Sequence, residues 1–230
     1  MKYYSIHYAI KKIGRGGFPQ AQNIEMEPGR KVTDSNFAWE LRADLLPDFK
    51  PYIGTLVLQN GSTLTDFISS ATISMGFICN EKVKKIIEKH NFDNLRFYEL
   101  VIKHKGIYHN NFYLMHNVNS YTNNIDFPNS KFNIYKIENN KWLAEKIKIV
   151  DFSQYKELSE KMRRNKYGDW QKIEAEEIKF VNDFKIMDDI FNLFGVNSKT
   201  YISDNIKTEF EKNIITGIQY NLDEITTEFK

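Results

Sequence analysis

Three histidines, His104, His109 and His116, lie within one short stretch, and imidazole is both the side chain that titrates near neutrality and a common zinc ligand. A metal site needs at least three converging nitrogen, oxygen or sulfur ligands. No cysteine or carboxylate joins these residues at ligand spacing, and no H-E-x-x-H run is present. His104 and His116 are expected to neighbour one another across a hairpin, as ordinary strand histidines. Paired acids occur at Glu176-Glu177 and Asp188-Asp189. Adjacent side chains point in different directions on a helix or a strand, so neither pair by itself assembles an acid and a base. The single Cys79 precedes a helix start, where a thiolate is stabilised, but Phe77 and Ile78 beside it favour a buried strand end. Gly14, Gly16 and Gly17 lack the G-x-G-x-x-G spacing that places amides around a phosphate. These residues predict no catalytic, metal-binding or cofactor-binding site, and no cofactor.

The segment KMRRNKYGDWQK interleaves cations with aromatic rings, the pattern that binds nucleic acid. The same residues serve as the basic C-terminus of a helix followed by a loop. Arg163, Arg164, Tyr167 and Trp170 are nevertheless the candidate anchors for a macromolecular partner, since Trp, Tyr and Arg dominate binding hot spots.

The elements that must position these residues follow from composition and pattern. The 230 residues are 41% hydrophobic, 14% aromatic and 27% charged, enough to build a core without staples. Thirty-two basic residues against thirty acidic ones leave a net charge of +2, too small to draw in nucleic acid or anionic membrane by itself. A lone cysteine forms no internal disulfide, and no apolar run approaches the roughly 20 residues that span a bilayer, so the reducing cytoplasm is the expected compartment. The sequon at Asn60-Gly61-Ser62 is then a turn.

Tyr3 to Ile10 reads as a strand, Gln20 to Asp48 as irregular, and Tyr52 to Leu58 as an apolar stretch. Asn80 caps a short amphipathic helix carrying Val83, Ile86 and Ile87. A hairpin follows, from Leu95–Ile102 through Lys105-Gly106 into Phe112–Val118. A second hairpin is expected between Phe132–Ile137 and Ile147–Val150, turning near Asn139-Asn140. Ser153 caps a helix with Tyr155, Leu158 and Met162 on one face; beyond an acidic stretch, Ile178–Ile186 reads as a strand and IFNLFG as an apolar turn.

NEKVKKIIEKHNFDNLRF, from Asn80, reappears as SDNIKTEFEKNIITGIQY, from Ser203, at a constant offset of 123 residues. Val83 aligns with Ile206, Ile87 with Phe210, Leu95 with Ile218 and Phe97 with Tyr220. Either a duplication or the commonness of capped amphipathic helices accounts for the match. Both predict two similar helix-and-strand units burying their apolar faces in a shared sheet core. No linker divides the chain, so the expectation is one α+β domain over residues 1–230: a mainly antiparallel sheet with a few short flanking helices.

LTDFI at Leu64–Ile68, the unit after Ile78, FYLMHNVNS at Phe112–Ser120, Asp126 with Ser130, and the closing order DIFNLF, YIS, helix, TGIQY together resemble a bacterial immunity-protein family, family eleven. The resemblance spans roughly Leu64 to Tyr220 in short degenerate motifs, and the first sixty residues take no part in it. It implies a non-catalytic cytoplasmic antidote that binds and neutralises one cognate toxin domain, with no membrane partner and no transferable binding residue. Oligomeric state is left open. The rivals are a nucleic-acid-binding module using the Arg163–Lys172 segment and a hydrolase with an unrecognised site.

Overall fold

Asn80 caps a helix as its position implies: its Oδ1 accepts the Val83 N–H at 3.2 Å, and Val83, Ile86 and Ile87 turn inward. The computed structural model describes residues 2–10, 17–138, 141–163, 171–182, 184–197, 199–221 and 225–226, with the backbone alone at 138, 141–142, 163 and 225–226. In chain order the elements are β1 (Tyr3–Tyr8), β2 (Ala21–Glu25), β3 (Thr55–Leu58), β4 (Phe67–Ile68), β5 (Phe77–Asn80), α1 (Glu81–Ile87), β6 (Leu95–His104) and β7 (Ile107–Asn117). There follow β8 (Lys131–Glu138), β9 (Lys141–Ile147), α2 (Phe152–Arg163), β10 (Gln171–Lys179), β11 (Ile190–Asn192), β12 (Thr200–Ser203), α3 (Asp204–Lys212), β13 (Ile218–Asn221) and β14 (Ile225–Thr226).

The strands form three sheets, ordered β2-β3-β6-β7-β5-β4, β11-β12-β1-β13 and β14-β10-β8-β9. Among the described strands only β3 with β6 and β10 with β14 run parallel. The fold is α+β with mainly antiparallel sheets and a few short helices. Because strand side chains alternate, each of the first two sheets has two faces to bury. One core draws on both sheets and on α1 and α3; a second gathers Leu56, Ile78, Ile102 and Leu114 of the first sheet with Ala38, Leu41 and Ile53; a third joins α2, β8 and β10 to Tyr3, Phe191 and Tyr201. A close approach ties the first core together. Gly217 holds a positive φ of 90°, and a β-carbon there would stand 2.3 Å from the Phe67 carbonyl oxygen.

Several expected elements differ in detail: the strand expected over Ile178–Ile186 ends at Lys179, and IFNLFG, expected as a turn, opens with the strand β11. The strand paired with β8 begins at Lys141 and has ended by Ile147, and the expected turn at Asn139-Asn140 lies outside the described residues. The helix expected from Ser153 opens at Phe152, because Asp151 Oδ1 accepts the Gln154 N–H at 2.8 Å and takes the capping role. The acidic stretch at Glu174, Glu176 and Glu177 is itself β10, where a register irregularity between Ala175 and Glu177 resets the alternation, so that Ile173 and Ile178 are both buried while Glu174 and Glu176 stay in solvent. The region read as irregular contains β2, whose polar Gln22, Asn23 and Glu25 hide the strand pattern.

Candidate functional site

The hairpin that carries the histidines keeps them apart. Register places His104 opposite Ile107, His109 opposite Ile102 and His116 opposite Arg96, so His104 and His116 sit toward opposite ends of the hairpin and are not cross-strand neighbours. Each is spoken for by a carbonyl: His104 Nε2 meets the Ser62 oxygen at 3.0 Å and His116 Nε2 meets the Arg42 oxygen at 2.6 Å. A carbonyl only accepts, so both rings carry their proton on Nε2. His116 is 1% exposed, and burial holds its pKa below the ordinary histidine value. Among the described residues no three His, Cys, Asp or Glu side chains are grouped to hold a metal ion. Cys79 is fully buried, and burial raises its thiol pKa, opposite to the shift a nucleophile needs.

Titratable side chains do converge at one place, just before β11. Asp188 and Asp189 diverge there and bind different partners. Asp188, 7% exposed, accepts hydrogen bonds from the Tyr121 hydroxyl and from Asn119 Nδ2, the latter at 2.6 Å, while its backbone oxygen accepts from the Tyr3 hydroxyl at 3.3 Å. Burial, then the Asp188 hydrogen bond, pushes the Tyr121 phenol up to about 12, so it remains a donor at every physiological pH. Asp189 accepts from the Ser203 hydroxyl and from the Asn91 N–H at 3.0 Å, with His90 Nδ1 at 3.7 Å.

Carboxylate, histidine and serine in one cluster invite comparison with a nucleophilic triad, and the geometry decides against it. A serine nucleophile must hydrogen-bond to its base and face substrate. Ser203 Oγ donates to the carboxylate, accepts the Ile206 N–H at 3.4 Å as the cap of α3, and is fully buried. The cluster locks the loop after α1, the loop after β7, β1 and the end of β12 to the entry of β11. Sequence reasoning found Asp188 and Asp189, and Ser203 only as the start of a capped unit, but did not join them to Tyr121, Asn119 or His90; the hydrogen-bonded partners lie 14 or more positions away.

The other acidic pair lies along β10. Lys131 forms an ion pair with Glu177 and draws its pKa below the usual carboxylate range, and Asn133 Nδ2 donates to Glu176 at 3.3 Å. Of the proposed anchors, Arg163 ends α2 with only its backbone described, and Arg164, Tyr167 and Trp170 lie outside the described residues. Elsewhere, large apolar side chains reach solvent. Trp39 is 53% exposed, its Nε1 donating to the Thr72 carbonyl at 2.6 Å. At the tip of the β6–β7 hairpin Ile107 and Tyr108 are 62% and 56% exposed, with Lys103 Nζ 5.3 Å from the Tyr108 ring centroid. The Lys105-Gly106 turn marked that tip in the sequence, but nothing there distinguished solvent-facing rings from core ones.

No helix among the described residues is long and apolar enough to cross a membrane. No family model matches the chain, and no curated protein matches it.

Proposed function

We propose that this protein binds and neutralises a cognate bacterial toxin domain in the cytoplasm, without chemistry of its own. One observation carries the proposal: the polar residues that bear the resemblance to immunity-protein family eleven act as framework. Asp66, in LTDFI, accepts from Asn80 Nδ2 at 2.8 Å and from the Thr216 N–H at 2.8 Å. Asp126 accepts the Asn129 N–H, and Ser130 Oγ donates to the Asp126 carbonyl at 2.7 Å and accepts the Lys179 N–H at 3.0 Å. Motifs used in this way build a scaffold and leave partner choice to exposed side chains. Exposed rings and aliphatics such as Trp39, Ile107 and Tyr108 have the character of binding anchors, and a toxin interface of standard size covers about 1,600 Å².

The test is co-expression. A toxin domain recovered from the native lysate with this protein as bait is expressed alone and with it; abolition of its lethality, with a complex surviving gel filtration, supports neutralisation. Unchanged lethality, or retention of nucleic acid alone with binding that weakens steeply in salt, removes the proposal.

A further inference from the structure

The likeness between the units opened by Asn80 and Ser203 extends well past their helices. β4 lies on β5 with Phe67 opposite Cys79 and Ile68 opposite Ile78, and β11 lies on β12 with Ile190 opposite Ile202 and Phe191 opposite Tyr201. Every one of these residues is displaced by the same 123 positions. The middle strands agree as well. Phe112 faces Asn80 and Tyr3 faces Ser203; Met115 lies between Phe77 and Phe97, and Ile6 between Thr200 and Tyr220. FYLMHNV (112–118) and YYSIHYA (3–9) thus fill equivalent slots, His116 opposite Arg96 and His7 opposite Gln219.

The irregular joints repeat too. Asn94 and Gly217 both take positive φ, 50° and 90°; their carbonyls accept from Val118 at 3.0 Å and Ala9 at 2.9 Å. Asp66 and Asp189 occupy matching positions, and each binds crosswise. Asp66 holds the cap Asn80 and reaches Thr216 in the other unit; Asp189 holds the cap Ser203 and reaches Asn91 in the other unit. The shared core follows the same rule. On the strands preceding the helices and at the centres of the sheets it pairs Ile6 with Met115, Phe67 with Ile190 and Cys79 with Ile202. On the helices and the strands that follow, it pairs Val83 with Ile206, Ile87 with Phe210 and Leu95 with Ile218, leaving Ile86 alone.

A chance likeness of capped helices constrains neither the register of a remote strand nor the partners of a core, since a one-residue slip would turn every side chain to the other face. Chain order supplies the last step. β1 precedes the first unit and β7 precedes the second, yet β1 lies in the sheet of the second unit and β7 in that of the first. Grouping unit before strand would leave one complete copy and two pieces at opposite ends of the chain. We infer that the chain is two tandem copies of one module that have exchanged their central strands, each completing the other's sheet around a single core. The exchange makes the halves obligate partners, as in a swapped dimer fused into one chain. The copies differ in what each carries between its strand and its unit: β2 and β3 in the first, β8, β9, α2 and β10 in the second.

The test cuts the folded full-length protein at a protease site inserted in the exposed Lys105-Gly106 turn, where a glycine β-carbon would meet nothing within 4 Å. The halves are expected to elute together under native conditions, to part only in denaturant, and to recombine on its removal. Separation in native buffer into folded monomeric halves overturns the inference. Should the insertion variant not fold, the uninserted chain decides through hydrogen exchange of Asp66→Ala and Asp189→Ala. The expected effect is crosswise: exchange rises about tenfold or more around Thr216 in the first variant and around Asn91 in the second. Acceleration confined to the altered copy refutes it.

Discussion

Gly217→Ala is the sharpest probe of how the central core is closed. Two costs combine at this position. An L-residue at a φ of 90° carries about 1 to 2 kcal/mol of backbone strain. The added carbon would also stand 2.3 Å from the Phe67 carbonyl oxygen and 2.9 Å from Thr65 Oγ1, and backbone at that distance has to move. Movement stretches the Phe67 N–H bond to the Thr216 carbonyl, now 3.0 Å, and the Thr216 N–H bond to the Asp66 carboxylate, now 2.8 Å. Each is worth about 1 kcal/mol net, the charged one somewhat more, so the whole effect is about 3 to 5 kcal/mol. For a chain of this length that lowers Tm by roughly 6 to 20 °C. Gly106→Ala is the matched control. Its φ is 80°, with nothing within 4 Å of the added carbon, so strain alone acts and Tm falls by about 2 to 8 °C. Differential scanning calorimetry of the two variants beside the parent isolates the close approach. Equal losses would refute it, because the second cost would then be absent.

Phe210→Ala empties a fully buried site whose ring lies 5.9 Å from that of Phe67, and is expected to cost about 3 to 5 kcal/mol by urea unfolding. Burial depresses the folded-state pKa of His116, so its neutral form is favoured in the fold while the unfolded chain takes up a proton near 6.5. Its contribution is therefore fully present above about pH 6.5 and is lost as pH falls toward the depressed folded value; urea midpoints at pH 7.5 and 5.0 should differ less in His116→Phe than in the parent. Cys79 should not react with a thiol reagent in the native protein and should label fully in denaturant; rapid native labelling would contradict its burial.

The elements legible in the sequence were those whose local chemistry is self-contained. Asn80 with Val83, Ile86 and Ile87 specifies a capped helix, and Lys105-Gly106 specifies a hairpin turn, irrespective of what packs above them. β10 escaped because its solvent-facing Glu174 and Glu176 outweigh the buried Ile173 and Ile178 in any local window. The Asp188–Asp189 cluster was half legible: the acids are conspicuous, but Tyr121 meets Asp188 across 67 positions and Asn91 meets Asp189 across 98. The repeat was visible only over the cap, its helix and the start of the strand that follows. The matching of Ile6 with Met115 depends on which strand enters which sheet, and tertiary pairing decides that.

The exchanged strands impose an order on synthesis. Among the described residues β1 pairs with 200–203 and 218–221, so it cannot be placed until those later residues are made. At a translation rate of about 5 to 20 residues per second, Tyr3 and Ile6 wait roughly 10 to 40 s before their sheet exists. Through that interval an apolar, aromatic strand with two free edges remains in solvent on the ribosome, where a chaperone has its best opportunity to hold it. Once β12 and β13 emerge, β1 closes between them and both copies are fixed at once.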